Sequence, residues 1–190
     1  MIIYPYNKNI LHFTDVETCG FSPTRSSVVS LAWVTTDSEG NKLGEFYEEV
    51  RAENATHWNT GSERIHGFTK ADNRKKQSAQ TCLLKLLKYL KPFESDLPAP
   101  LVYHAKNAFD PRWIESMFFK NLLNGIWIYR KHTSFNNHID TIALAEEKLP
   151  SLENYKLSTL CRYFGISLNH HHALSDTRAL PEIYFNLLKL

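Results

Sequence analysis

Long apolar runs, a disulfide framework and a surplus of one charge are all missing from this chain. No stretch comes near the ~18 uninterrupted apolar residues that cross a bilayer. The N-terminus, Met-Ile-Ile-Tyr-Pro-Tyr, lacks the basic start and apolar run of a secretory signal. Only three cysteines occur, Cys19, Cys82 and Cys161, far apart and without a CxxC pair. Such a count suits reduced thiols in a cytoplasmic protein and argues against a zinc ribbon or a disulfide scaffold. Lys and Arg number 22 against 20 Asp and Glu, a formal net charge of +2, so the charge balance alone points to no polyanionic partner. Internal repeats, low-complexity tracts and long linkers are absent as well.

What is present is material for a core. Apolar residues make up 43% of the 190 positions and aromatics 13%, which excludes intrinsic disorder and fits a single domain over residues 1–190. Leu11–Val16, Ser27–Thr36 and Leu43–Val50 read as a meander of three strands, most simply antiparallel. From Gln80 the apolar period changes to 3.6, with Leu83, Leu86, Leu87 and Leu90 on one stripe of a helix that ends near Pro92. Leu101–Tyr103 is a short buried strand. A helix follows with Pro111 in its first turn, through Trp113, Met117 and Leu122, ending by Gly125. One or both of 126–129 and 139–141 are expected to be strand. A helix over Leu157–Phe164 closes at Gly165, and a last helix runs from Ala173, kinked or displaced by Pro181. The order indicates a mixed sheet with helices packed on it.

Three acidic segments stand out. Asp15 and Glu17 lie two apart on the first strand, so they share a face, ~6–7 Å apart. Carboxylates that close repel unless a cation sits between them, and hard divalent cations prefer oxygen ligands. Thr18-Cys19-Gly20 then turns the chain, with Gly20 allowing tight backbone geometry beside a ligand, and the plain alternative is a solvated strand end with a turn. Asp110, just before Pro111, reads on its own as a helix N-cap. Asp176, after His170-His171-His172, opens the last helix, where it also suits the helix dipole. Three consecutive histidines do not face one point, so they form no zinc cage by themselves.

Taken together, Thr14-Asp15-Val16-Glu17-Thr18-Cys19-Gly20-Phe21, Ala105 to Asp110, and His171-x-Ala173-x-x-Asp176 resemble the three motifs of the DnaQ-like DEDDh 3′→5′ exonuclease family, in the family's order. Ile65-His66-Gly67-Phe68-Thr69 and Asp140-Thr141 match two further recurrent positions, so the likeness spans nearly the whole chain. Glu-Thr-Cys-Gly is similar to the exonuclease X branch and Asp-Val-Glu-Thr-x-Gly-Phe to the RNase T branch. The resemblance implies an α/β, RNase H-like fold with a mixed five-stranded sheet flanked by helices. It also implies two Mg²⁺ or Mn²⁺ ions held by Asp15, Glu17, Asp110 and Asp176. His171, five residues before the last Asp, matches the general base of the histidine branch; the tyrosine branch's position holds His172. Neutral imidazole near pH 7 suits that task.

Thr18, Phe21 and His66 match positions that meet the terminal nucleotide, with core packing the equal alternative for Phe21 and a helix-end turn the alternative for His66. The second motif departs from the family: His-Asn is replaced by Ala105-Lys106, flanked by His104 and Asn107. Lys106 is therefore either a phosphate contact or a solvated lysine. The basic clusters Arg74-Lys75-Lys76, Lys85-Lys88 and Arg130-Lys131 are either a backbone track or solvated faces. The expected partner is a single-stranded or frayed 3′ end, DNA by the exonuclease X likeness, cleaved to nucleoside 5′-monophosphates. An exoribonuclease, a proofreading subunit bound to a polymerase and a homodimer stay open. The lack of a long tail after the last helix argues against the polymerase-bound form, and the full set of five motif residues against an inactive end-binding module.

Overall fold

A computed structural model of the chain describes residues 9–53, 55–168 and 172–190, with the side chains of 134–136 left aside. The elements run β1 (Ile10–Thr18), β2 (Val28–Asp37), β3 (Lys42–Glu49), α1 (Thr60–His66), α2 (Lys70–Asn73), α3 (Ala79–Leu90), β4 (Ala99–Tyr103), α4 (Phe109–Asn121), α5 (Gly125–His132), β5 (Thr133–Asp140), α6 (Thr141–Lys148), α7 (Leu157–Phe164) and α8 (Ala173–Leu188). The five strands form one sheet in the order β3-β2-β1-β4-β5. β1, β2 and β3 pair antiparallel, whereas β4 joins β1 and β5 joins β4 in parallel, which makes the sheet mixed as the sequence implied.

Period-2 alternation sorts side chains onto two faces of this sheet. Thr14, Trp33 and Phe46 stand in one cross-strand row. On their face Val16, Leu31, Trp33 and Phe46 pack under Leu83, Leu86 and Leu90 of α3 and Trp113, Ile114, Met117 and Phe118 of α4. The leucine stripe thus does what its 3.6 period requires, with Ser78 capping α3 by accepting from the Thr81 N–H. The opposite face carries Leu11, Phe13, Val34 and Val102, covered by Leu180 of α8. A third cluster, Ala145, Leu160, Cys161, Ala179, Ile183 and Leu187, locks α6 and α7 onto α8.

Several expectations need correction. Of the two expected strands, 139–141 is met by β5, which ends at Asp140, whereas 126–129 is helical, within α5, because Gly125 lets the chain turn hard against α4: a Cβ there would lie 1.9 Å from the Phe118 carbonyl oxygen. α8 continues through Pro181 with its start undisplaced. Short helices α1, α2 and α6 carry little apolar periodicity, and of them only the end of α1 was expected, at His66; their starts are set by side-chain caps from Asn59, Thr69 and Asp140. The three cysteines are free and buried. Among the described residues no helix is long and apolar enough to cross a membrane.

Candidate active site

The end of β1 supplies the first two acids. Asp15 faces Ala32 and Glu17 faces Ser30 on β2, so the small β2 side chains leave the carboxylates room on the α8 face. Asp176, in the first turn of α8, comes over that face and is buried. One oxygen from each of Asp15, Glu17 and Asp176 lies within 4.8 Å of the others.

Asp110 approaches from the other side. The chain leaves β4 through Asn107 (φ 60°) and Ala108 (φ 50°), both left-handed, and only then enters α4. Left-handed non-glycine residues cost of order 1 kcal/mol each and persist where the surroundings demand them. Here they aim the first turn of α4 at β1. The N-cap is therefore Ala108, not Asp110, which corrects the capping expectation. The buried Asp110 instead accepts the Val16 N–H with Oδ1 at 3.3 Å, and its Oδ2 is buried with no hydrogen-bond partner among the described residues. A buried carboxylate oxygen in that state costs a few kcal/mol unless something meets it.

The charges acting on this cluster are of one sign. Burial first, then Asp110, Glu17 and Asp176, holds the Asp15 carboxyl well above the usual carboxylate range. Burial, with Asp176 and Asp110, pushes Glu17 up to about 7, and burial raises Asp110 to about 7 against the opposing Val16 hydrogen bond. An all-oxygen donor set that resists its own ionisation fits hard divalent cations, whose charge reverses that penalty. Asp15, Glu17 and Asp176 are the residues that would hold such an ion, with the unmet oxygen of Asp110 beside them.

A cleft of about 1020 Å³ opens from Asp15 and Asp176, walled by His104, Lys106, Glu146 and the 153–158 segment. Lys106 is largely exposed and pairs with Glu146 at 3.4 Å. His104 is turned inward to Thr141 Oγ1 (2.8 Å), and burial lowers it to about 4, so it is a neutral structural ring. Thr141 in turn donates to the Tyr103 carbonyl, and Asp140 caps α6, which gives those two sequence matches a bracing role behind the site.

Phe21 is 70% exposed, which removes the core-packing alternative. Thr18 is buried and donates to the Gly20 carbonyl at 2.7 Å. Gly20 itself makes room for Ser26, whose Oγ would sit 2.4 Å from an added Cβ, so the turn by itself requires its compactness. His66 ends α1, accepts the Phe68 N–H at Nδ1, and turns its buried Nε2 toward the Thr18 backbone. His170 and His171 lie outside the described residues. His172, exposed at the N-cap of α8, stacks on Tyr47 of β3. The basic clusters are mostly spoken for: Lys75 pairs with Asp72, Lys76 with Glu49, Lys85 with Glu48, Arg130 with Glu115 and Lys131 with Glu94. Sequence reasoning missed the 153–158 wall of the cleft and Tyr47. The wall carries no motif, whereas strand alternation in the third strand was a usable signal for Tyr47.

The RNase_T family model, described as exonuclease, matches residues 13–184. Among curated proteins, DNA polymerase III subunit epsilon of Buchnera aphidicola subsp. Baizongia pistaciae is 31% identical over 124 residues, 64% of this chain and 46% of that protein. The PolC-type DNA polymerase III of Caldanaerobacter subterraneus subsp. tengcongensis is 37% identical over 92 residues, 48% of this chain and 6% of that protein. The zinc-bound E. coli ExoI–ssDNA complex superposes with a TM-score of 0.76 at 21% identity, covering 96% of this chain and 41% of that one, which establishes a shared fold. The chain thus spans less than half the length of each of these proteins.

Proposed function

This chain belongs to the exonuclease family matched over residues 13–184, and from that membership we propose that it is a metal-dependent 3′→5′ exonuclease acting as one domain over residues 1–190. The single observation that carries this reading is the convergence of Asp15, Glu17 and Asp176 within 4.8 Å. Two Mg²⁺ or Mn²⁺ ions, when bound, would activate the attacking water and offset charge on the departing 3′-oxygen of a phosphodiester. The protein's own groups do the remainder. Asp15, Glu17 and Asp176 hold the ions, and Asp110 adds its inward Oδ2 from α4. His171 takes the proton from the attacking water, a task suited to an imidazole that is neutral near pH 7. Phe21 stacks on the terminal base, Thr18 and His66 border the terminal nucleotide, and Lys106 meets a backbone phosphate by exchanging its partner Glu146.

DNA is the favoured substrate, with nucleoside 5′-monophosphates as products. Support comes from the names of the relatives, DNA polymerase III subunit epsilon and PolC-type DNA polymerase III, and from the ssDNA in the ExoI complex. The same polymerase names favour a second reading, in which the activity proofreads for a polymerase partner. Matched DNA and RNA 3′ ends, incubated with Mn²⁺ and with chelator, test both activity and preference. Chelator-sensitive release of 5′-monophosphates, faster from DNA, is expected, and Asp15→Ala and His171→Ala are each expected to abolish it. Either variant matching wild type would refute the assignment, and faster RNA hydrolysis would reverse the substrate choice.

A further inference from the structure

Of the three convergent carboxylates, two ride on β1 and the third arrives on a helix. Repulsion among Asp15, Glu17 and Asp176 opposes seating the first turn of α8, and the core clusters grip this helix only from Ala179 onward. A side-chain cap is the usual device, and His172 at the N-cap of α8 makes no side-chain capping hydrogen bond among the described residues.

The sheet register supplies the substitute. Asp15 pairs with Ala32, and Ala32 with Tyr47, so these three share one row on the α8 face; Phe13, Val34 and Glu45 form the next. Because the middle residue of the active-site row is only alanine, the Tyr47 side chain from the edge strand is not walled off from the site. Its ring stacks on His172 with centroids 5.0 Å apart and planes at 30°. Two residues back on β3, Glu45 accepts both Nη2 and Nε of Arg178, at 2.6 and 3.0 Å. The two contacts bracket Asp176 in sequence, one four residues before it and one two residues after.

We infer that Tyr47 is a positioning residue for the metal centre: its stack on His172, seconded by the Glu45–Arg178 fork, seats the first turn of α8 and thereby sets the place of Asp176. This rests on the exonuclease reading for its consequence in catalysis, though not for its consequence in cation binding. β3 is thus more than an edge strand. It acts on the site through α8.

The test uses the full chain, Mn²⁺ as the probe, calorimetric binding isotherms, and kcat and KM on a single-stranded DNA oligonucleotide. Tyr47→Leu is expected to weaken Mn²⁺ binding about tenfold and to lower kcat at fixed Mn²⁺ by a similar factor, the usual scale for groups that orient metal ligands, with KM within about twofold. Tyr47→Phe keeps the ring and is expected to stay within about twofold of wild type in every measure. Mn²⁺ affinity unchanged in Tyr47→Leu would overturn the inference, as would Tyr47→Phe falling as far as Tyr47→Leu. Arg178→Gln carries the same test from the exposed side of the helix should Tyr47→Leu fail to fold: weaker Mn²⁺ binding supports the inference and unchanged binding overturns it. A wild-type chain that binds Mn²⁺ yet leaves every 3′ end intact would refute the exonuclease reading, while the isotherms still decide the role of Tyr47.

Discussion

The two faces of the sheet are built to opposite rules. Under α3 and α4 the rows are filled by Trp33, Phe46, Leu83, Leu86 and Ile114, all buried, and the face is closed by apolar contact. Under α8 apolar side chains fill only the part around Phe13, Val34 and Leu180; toward the end of β1 the rows turn to Asp15, Glu17, Ala32 and Ser30. One face therefore stabilises the fold, and the other gives up stability to hold like charges together. The proposed active site lies on the face where burial and charge conflict.

The sharpest way to break this contrast is to remove one charge. Asp15→Asn keeps the shape of the side chain and is expected to lower kcat/KM by about 10³ or more, on the order of 4 kcal/mol of transition-state stabilisation. The same change relieves repulsion, so the metal-free protein is expected to unfold at an equal or higher temperature. A drop in the metal-free Tm would mean that the carboxylates hold the fold together, which the contrast denies. The next largest effect is expected on the other face. Leu86 is fully buried, and Leu86→Ala is expected to cost about 3 kcal/mol, with a Tm fall of roughly 6–12 °C and unchanged kcat well below it.

Proton linkage separates the faces further. Glu17 and Asp110 have folded pKa values raised to about 7, above their unfolded values, so the folded state binds protons more tightly between roughly pH 4 and 7. Stability from this source is complete below the unfolded pKa and is lost as pH rises through the folded one. The metal-free chain is expected to lose several kcal/mol, on the order of 5–10, across that window. Saturating Mn²⁺ should abolish the decline at its upper end, where the carboxylates are ionised and bound. Thermal melts at several pH values, with and without Mn²⁺, check this; a metal-free Tm that rises steadily from pH 4.5 to 7.5 would contradict it.

Legibility from the sequence followed the same division. The leucine stripe of α3, the three-strand meander and the β1 carboxylates announce themselves through period, because a covered face imposes one. Of the four carboxylates that the family likeness named, Asp15, Glu17 and Asp176 come within 4.8 Å of one another, and Asp110 stands outside that group. Residues 126–129 did not read correctly, because an apolar, aromatic tetrapeptide is strand-like in isolation and becomes helix only through the close approach of Gly125 to α4. Asp110 misled for a related reason. Its place before Pro111 describes a cap, and only the left-handed pair Asn107–Ala108, which no local preference demands, starts the helix early and turns the carboxylate to Val16. Tyr47 was hidden by distance along the chain, since its partner in the stack is 125 positions away.

Smaller perturbations sharpen the picture at the rim of the site. Phe21 is exposed, so Phe21→Ala is expected to leave Tm essentially unchanged while raising KM for single strands by an amount worth about 1–2 kcal/mol, the scale of one base stacked on an aromatic ring. A stability loss above roughly 1 kcal/mol would return Phe21 to the packing role that its exposure denies it.

The smallest expected effect tests where the polar strand runs. Lys85 stands on α3, on the fold face, and pairs with Glu48 of β3 at 2.7 Å with its side chain half exposed. An exposed pair of this kind contributes at most about 1 kcal/mol. Lys85→Gln is therefore expected to shift Tm by no more than about 2 °C and to leave kcat/KM within about twofold at low salt. A phosphate contact would behave differently, because each one lost weakens binding more at low salt and flattens the dependence of KM on ionic strength. A several-fold rise in KM that fades at high salt would put the nucleic acid across the α3 face, and the separation of the two faces into one for the fold and one for the chemistry would fail there first.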